Sequence, residues 1–173
     1  MKKKLFFLLA VILISAFAVT LGAYLQREPA KQDDKTIESN QTKTFDAYYA
    51  ARVKNVGNNS EVVNLLNLLG AGDFGEYTIA LQTKTEPYGL TIIYSKLKNG
   101  VDEEKLKTLY RIDYAYYALA LIDNLSTIDV NYKTYNYKLS VDDANLTVNG
   151  KIKDFGSSSK KLKELYKILN PND

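Results

Sequence analysis

The most explicit chemical pattern in the chain stands near its C-terminus, where Ser157-Ser158-Ser159-Lys160-Lys161 contains Ser-x-x-Lys twice. On a helix that spacing sets a lysine one turn from a serine hydroxyl, as in the acylating site of penicillin-binding enzymes. The Ser-Asp-Asn and Lys-Thr-Gly elements that complete such a site are absent. The run therefore reads as a Ser-rich helix start followed by a solvated basic turn. Asp143-Ala144-Asn145-Leu146-Thr147 alternates oxygen-bearing side chains like a calcium loop, with Asp154 at the twelfth position. Such a loop needs Gly sixth and a bidentate Glu twelfth, where Val148 and Asp154 stand, so turn polarity explains it better. Asp113 and Asp123 bracket an uncharged stretch, Tyr114 to Ile122. A small hydrolase or transferase working with carboxylate and Lys would use them; they also suit the points where that stretch leaves the core. Asp33-Asp34 lies in a charged run and reads as solvated.

Tyrosine is the other conspicuous residue type. Tyr110, Tyr114 and Tyr117 make one helical stripe, and Tyr132, Tyr135 and Tyr137 one sheet face. Such rings either line a ligand groove or pack on each other as core, and periodicity places both sets in the interior. Tyr88 differs, because it sits in the predicted turn, beside Gln82. The two form the candidate binding surface, with Tyr88 either exposed as a recognition point or docked back over the hairpin.

Composition removes much other chemistry. The 173 residues include no His, Cys or Trp. Thiol nucleophiles, Ser-His-Asp triads, zinc fingers, thiolate-held clusters, His-ligated haem and disulfides are thereby excluded. No cofactor is expected, and the lack of Trp disfavours a carbohydrate platform. The net charge of +3 is supplied by Lys2, Lys3 and Lys4; residues 26–44 carry four charges of each sign and residues 45–173 sixteen of each. A nucleic-acid binder needs a cationic surplus that this body lacks.

The three lysines precede LFFLLAVILISAFAVTLGAYL, Leu5 to Leu25, which carries no charge. As a helix, 21 residues reach about 31 Å, the thickness of a bilayer core. Residues 1–25 are therefore expected to be a transmembrane signal anchor. The lysines stay cytoplasmic and the rest lies outside, with Tyr24 and Arg27 at the outer interface. The competing reading is a signal peptide cleaved after Ala18 or Ala23, releasing a secreted factor. Leu21-Gly22-Ala23-Tyr24 has Tyr where a lipidated Cys would stand, which excludes lipid anchoring. Residues 26–44 hold one aliphatic residue larger than Ala, Ile37, and read as a disordered tether.

Residues 45–173 then form the extracytoplasmic domain. Asn59-Ser60 offers a cap to a short helix on which Val62, Val63, Leu66 and Leu69 recur, stopped by Gly70. Tyr77–Thr83 and Gly89–Tyr94 alternate with period two about a Pro-containing turn, as a hairpin. Asp102 caps a long helix from Glu103 to about Asn124, whose second half is apolar on every side and hence central. Its nine-residue run is too short for a second span. Thr127–Lys133 and Thr134–Ser140 form a second hairpin with one wet face. Ser140 to Asp143 has capping-box spacing before a short helical turn ending at Gly150. The last helix runs from Ser159 to Leu169. The expected fold class is α+β: an antiparallel sheet of about four strands, with the central and terminal helices on one face.

Asn59-Ser60 through Asn64-Leu65-Leu66-Asn67-Leu68-Leu69, Leu81-Gln82-Thr83 with Glu86-Pro87-Tyr88-Gly89-Leu90-Thr91, and Ala120-Leu121-Ile122-Asp123-Asn124-Leu125 together resemble a family of extracytoplasmic domains of unknown function from Gram-positive bacteria. The resemblance spans about Ala50 to Leu169, and the Gln-Thr…Glu-Pro-Tyr-Gly-Leu-Thr hairpin is its most specific part. It implies a single-anchor membrane protein, or the external part of a larger one such as a receptor-like metallopeptidase, with a sensing or partner-binding role. It lends no catalytic residues. The function expected is a non-catalytic envelope module that binds another envelope protein or a small ligand, the alternatives being the secreted factor and the small hydrolase.

Overall fold

Val62, Leu65 and Leu66 recur at helical spacing and are fully buried, which fixes one face of a helix from Asn59 to Leu68. The computed structural model in which they sit describes residues 44–101 and 113–172. The apolar N-terminal run, the tether, Tyr110 and the first part of the expected long helix lie outside the described residues. Among the described residues, no helix is long and apolar enough to cross a membrane.

In chain order the elements are helical residues 44–50 (α1), Asn59–Leu68 (α2), a 3-10 turn at Ala71–Asp73, Gly75–Gln82 (β1), Gly89–Leu97 (β2), Asp113–Leu121 (α3), Thr127–Tyr132 (β3), Tyr135–Ser140 (β4), Val141–Val148 (α4), Ile152–Phe155 (α5) and Ser159–Leu169 (α6). Two ends of α2 test the capping argument. The cap position is Asn58, whose side chain makes no cap bond, so the Asn59-Ser60 cap is displaced by one residue and carries no side-chain hydrogen bond. Gly70 stops the helix as expected, with φ at 85°, a left-handed conformation that costs glycine little.

Both hairpins form. β1 pairs antiparallel with β2 from Gly75↔Leu97 to Gln82↔Gly89, with an irregularity between Glu76 and Tyr77. β3 pairs antiparallel with β4 from Thr127↔Ser140 to Tyr132↔Tyr135, around a turn at which Lys133 takes φ 51°. The sheet is nevertheless mixed, not antiparallel. In the order β1-β2-β3-β4, β2 and β3 run parallel, with Leu90 opposite Ile128 and Ile92 opposite Val130. Hairpin signals fix pairing within each hairpin and say nothing of how two hairpins meet. A parallel neighbour needs a crossover connection, which the segment containing α3 supplies. Leu90, Ile92, Ile128 and Val130 are fully buried at that junction, while Glu76, Thr78, Gln82, Asn136 and Lys138 face out. Ile93 is a large apolar exception on the strands' other side, 41% exposed.

Tyr114 to Leu121 are all buried, in keeping with a helix covered on every side. Burying Leu119 and Leu121 contributes about 2 kcal/mol each. The helix ends at Leu121 rather than Asn124, because the chain there joins residues 53–57. Val53 N donates to Leu121 O at 2.9 Å and Asp123 N to Val53 O at 3.0 Å, a parallel bridge between Val53 and Ile122. The Asn124 carboxamide continues the join. Its Oδ1 accepts from Val56 N at 2.8 Å and its Nδ2 donates to Asn55 Oδ1 at 3.2 Å. Ser140 and Asp143 make the capping box of α4 with Asp in the place of Glu. α5 packs on α3, and α6 packs on α5.

Candidate functional site

Tyr114 and Tyr117 stand three residues apart on α3, so both project toward the same side. Phe45 and Tyr48 of α1, Leu69 after α2 and Tyr166 of α6 meet them around a cavity of about 250 Å³, which Thr44 and Asp113 complete. The rings touch one another: Tyr48 and Tyr117 have centroids 5.6 Å apart, Phe45 and Tyr166 5.9 Å, and Phe45 and Tyr48 6.0 Å edge-on. Such contacts add to the burial energy and fix the walls.

The hydroxyls of this cluster are not equivalent. Tyr94 donates to Ala71 O at 2.8 Å and lies 3.2 Å from the Tyr114 hydroxyl. A phenol has one proton, so Tyr114 is the donor of that pair. Burial pushes Tyr94 up to about 12 and Tyr114 further. The Tyr117 hydroxyl, by contrast, is buried with no hydrogen-bond partner among the described residues. Burial, reinforced by the Asp113 charge, raises its pKa far above the ordinary phenol value. Asp113 Oδ2 accepts from Asn170 Nδ2 at 3.1 Å, and the same nitrogen donates to Tyr166 O at 3.1 Å, which ties the end of α6 to α3. These phenols stay protonated at neutral pH. The cavity therefore offers aromatic faces, one carboxylate and one unsatisfied hydroxyl, a set suited to holding a ligand rather than to moving protons.

A second cleft, about 380 Å³, is lined by Tyr49, Arg52, Ala120, Asp123, Lys153, Gly156 and Ser157. It brings together Asp123 and a lysine, the chemistry weighed for a hydrolase. The Lys153 ammonium, however, donates to both Leu119 O and Ile122 O at 2.6 Å. It satisfies carbonyls that the end of α3 leaves without helical partners. Burial lowers its pKa to about 8, against the opposing charge of Asp123. Ser157 Oγ donates to Asp154 O at 2.6 Å. The Arg52 guanidinium lies 4.5 Å from the centre of the Tyr49 ring.

The other sequence candidates fall elsewhere. Ser158 caps α6 by accepting from Lys161 N at 3.3 Å, while Lys161 Nζ pairs with Glu164 Oε2 at 2.6 Å; the Ser-x-x-Lys run is thus built as a helix start. Asp143 belongs to the capping box, Asn145 Oδ1 accepts from Ile152 N at 2.7 Å and Thr147 Oγ1 donates to Asp143 O at 3.1 Å, so the calcium-like run is helical, with its three polar side chains tied into local backbone. Among the described residues, no group of three or more acidic side chains could hold a metal ion. Gln82 is exposed, and its Nε2 donates to Pro87 O at 3.2 Å, closing the loop that contains the cis Glu86-Pro87 bond. Tyr88 is half-buried against the core, so of the two expectations for it docking rather than exposure fits. Its carbonyl accepts from Ser126 N and Thr127 N at 2.9 and 3.3 Å. The end of the hairpin loop thus fastens β2 to the start of β3, and neither residue lines the aromatic cavity. Sequence reasoning named Asp113, Tyr114 and Tyr117 and missed Phe45, Tyr48, Leu69, Tyr166 and Lys153. Ile152 and Phe155, three apart around Lys153, were the available sign of the short helix α5.

Comparison with curated proteins and with solved structures finds no match. Residues 48–142, just over half of the chain, match the model of the Domain of unknown function (DUF4825), and the protein belongs to that family.

Proposed function

We propose that the protein is a membrane-tethered extracytoplasmic module of the cell envelope, without catalysis, that senses or binds a small ligand or a partner's side chain in its aromatic cavity. The observation that carries this reading is the cavity itself: five aromatic rings around about 250 Å³, with a buried Tyr117 hydroxyl left unsatisfied. Buried polar groups are nearly always paired, so an orphan at a cavity wall suits a site completed by something bound. The 21-residue apolar run behind three lysines supports a single span with the N-terminus cytoplasmic. The likeness to extracytoplasmic domains of Gram-positive bacteria, some of them on receptor-like metallopeptidases, supports an envelope location and a partner in the same membrane. Release after signal cleavage would make the same module a secreted factor, which the mature N-terminus would reveal.

The small-hydrolase reading has one favourable observation, the cleft that holds Asp123 and Lys153. The ammonium there is engaged by two carbonyls and the Ser157 hydroxyl by a third, which leaves no activated nucleophile. The binding reading is tested by heating the full chain, in detergent, with low-molecular-mass extracts of envelope. An extract that raises the Tm of the wild type and not of Leu69→Trp, which fills the cavity, is the expected result. No shift with any extract overturns the reading. Protease added to intact cells is expected to digest the domain; its protection would overturn the location.

A further inference from the structure

The sixteen cationic and sixteen anionic side chains of residues 45–173 balance in number and not in place. Residues 151–167 carry six cationic side chains and two anionic ones, whereas residues 45–150 carry ten and thirteen. Most of that surplus stands on α6, which holds four lysines and one glutamate. Leu162, Leu165 and Leu169 turn one face of the helix into the core, so Lys160, Lys163 and Lys167, at i, i+3 and i+7, fall on the opposite face. Lys160 and Lys167 are exposed and Lys163 is half-buried, while Lys161, beside the stripe, pairs with Glu164 at 2.6 Å. Residues 26–43 and 102–112, outside the described residues, carry four and three charges of each sign. Neither segment brings a net charge that would neutralise the stripe.

The stripe lies where the chain enters the domain. α1 opens at residue 44, directly after the tether, and the Phe45 ring is 5.9 Å from that of Tyr166 on α6. A groove between the two helices is lined by Phe45, Asp46, Ser159, Lys160 and Lys163, so lysines flank the point of entry. Residues 26–43, even drawn out fully, carry that point no more than about 65 Å from the end of the apolar run. Resting on the single-span reading above, we infer that the Lys160, Lys163 and Lys167 face of α6 docks on anionic lipid headgroups of the membrane that holds the anchor. Each lysine brought to such a surface favours docking by about fivefold, and the tether raises the effective concentration of that surface. The acidic surplus of residues 45–150 disfavours other faces. Ile168, exposed beside Lys167, adds an apolar group for the headgroup layer.

The test reconstitutes the full chain in vesicles of phosphatidylcholine, alone or with about one third phosphatidylglycerol, which gives the surface a negative potential. Carbonate extraction first establishes insertion, and a chain that washes off overturns the single-span reading and this inference with it. Acetylation by N-hydroxysuccinimidyl acetate, followed residue by residue in a mass spectrometer, then reports which lysines are covered. On anionic vesicles Lys160, Lys161 and Lys167 are expected to react at least about fivefold more slowly than on neutral ones, and about 0.5 M salt is expected to restore them. Lys84 and Lys138, exposed on the β1–β2 loop and on β4, are expected to react alike on both. Lys160→Gln combined with Lys167→Gln changes only exposed side chains, and is expected to bring the slowing at Lys161 below about twofold. Rates on α6 that match on the two vesicles overturn the docking and leave the single-span reading standing; matched slow rates show that the tether or a second copy covers the stripe instead. Equal slowing of Lys84 and Lys138 overturns the choice of face. Slowing at Lys161 that survives the double variant overturns the assignment to the lysine stripe.

Discussion

Raising the pH is a perturbation whose effect can be worked from the core. Tyr94, Tyr114 and Tyr117 are 3%, 3% and 5% exposed, and each holds its proton more tightly folded than unfolded, chiefly through burial. A group whose folded pKa is raised contributes stability that is complete below its unfolded pKa, about 10 for tyrosine, and is lost as pH rises beyond it. Each of the three therefore costs about 1.4 kcal/mol per pH unit above 10. Together they remove about 4 kcal/mol at pH 11 and about 8 kcal/mol at pH 12, against a total stability on the order of 5–15 kcal/mol. Tyr94, pushed up to about 12, begins to ionise in the folded state at the top of that range and softens its share. Tyrosinate absorbance and far-ultraviolet circular dichroism should be followed together. Exposed tyrosines are expected to titrate first and smoothly, followed by a step that coincides with loss of the helical signal between about pH 11 and 12. One smooth titration of all fourteen tyrosines near the ordinary value, with the helical signal intact, would refute the burial argument.

Lys153 acts in the opposite sense. Its folded pKa of about 8 lies below the unfolded value, so the wild type gains stability as pH rises from 8 toward 10, and the neutral amine still has two N–H groups for its two carbonyls. Lys153→Met is expected to lose about 1–3 kcal/mol at neutral pH and to lack that rise, read from thermal denaturation across pH. A Cβ on Gly156 would lie 2.0 Å from Ala120 O, and this is backbone that cannot step aside. Gly156→Ala is therefore expected to cost about 3 kcal/mol or more or to abolish folding, whereas Gly150→Ala, whose nearest neighbour is 3.8 Å away, stays within about 0.5 kcal/mol. Asn124→Ala removes the acceptor of Val56 N and the donor to Asn55. A loss of about 1–2 kcal/mol is expected, seen as a lower urea midpoint at unchanged slope.

What the sequence shows of the fold follows the range of each signal. Ile128, Val130, Tyr137 and Leu139 alternate with polar neighbours because one sheet face is wet, so β3 and β4 could be read directly. The Leu162, Leu165 and Leu169 stripe of α6 is equally local. The parallel pairing of β2 with β3 joins residues separated by the whole crossover, and no local pattern records it. α5, at four residues, offers only the single Ile152–Phe155 spacing, too little to stand out from chance. The cavity was legible only where it borders α3, at Asp113, Tyr114 and Tyr117. Its other walls come from α1, α2 and α6, and the isolation of one hydroxyl among several is a property of packing rather than of spacing.

The limits of the family match cut across that cavity. Tyr48, Leu69, Asp113, Tyr114 and Tyr117 fall within residues 48–142, whereas Phe45 and Tyr166 fall outside. Lys153, which closes the end of the central helix, also lies beyond the match. The matched stretch thus supplies part of the cavity lining, and the rest arrives from flanking sequence on both sides. A fragment trimmed to residues 48–142 would lose both Phe45 and Tyr166 from the cavity and the donor for two carbonyls at the end of the central helix.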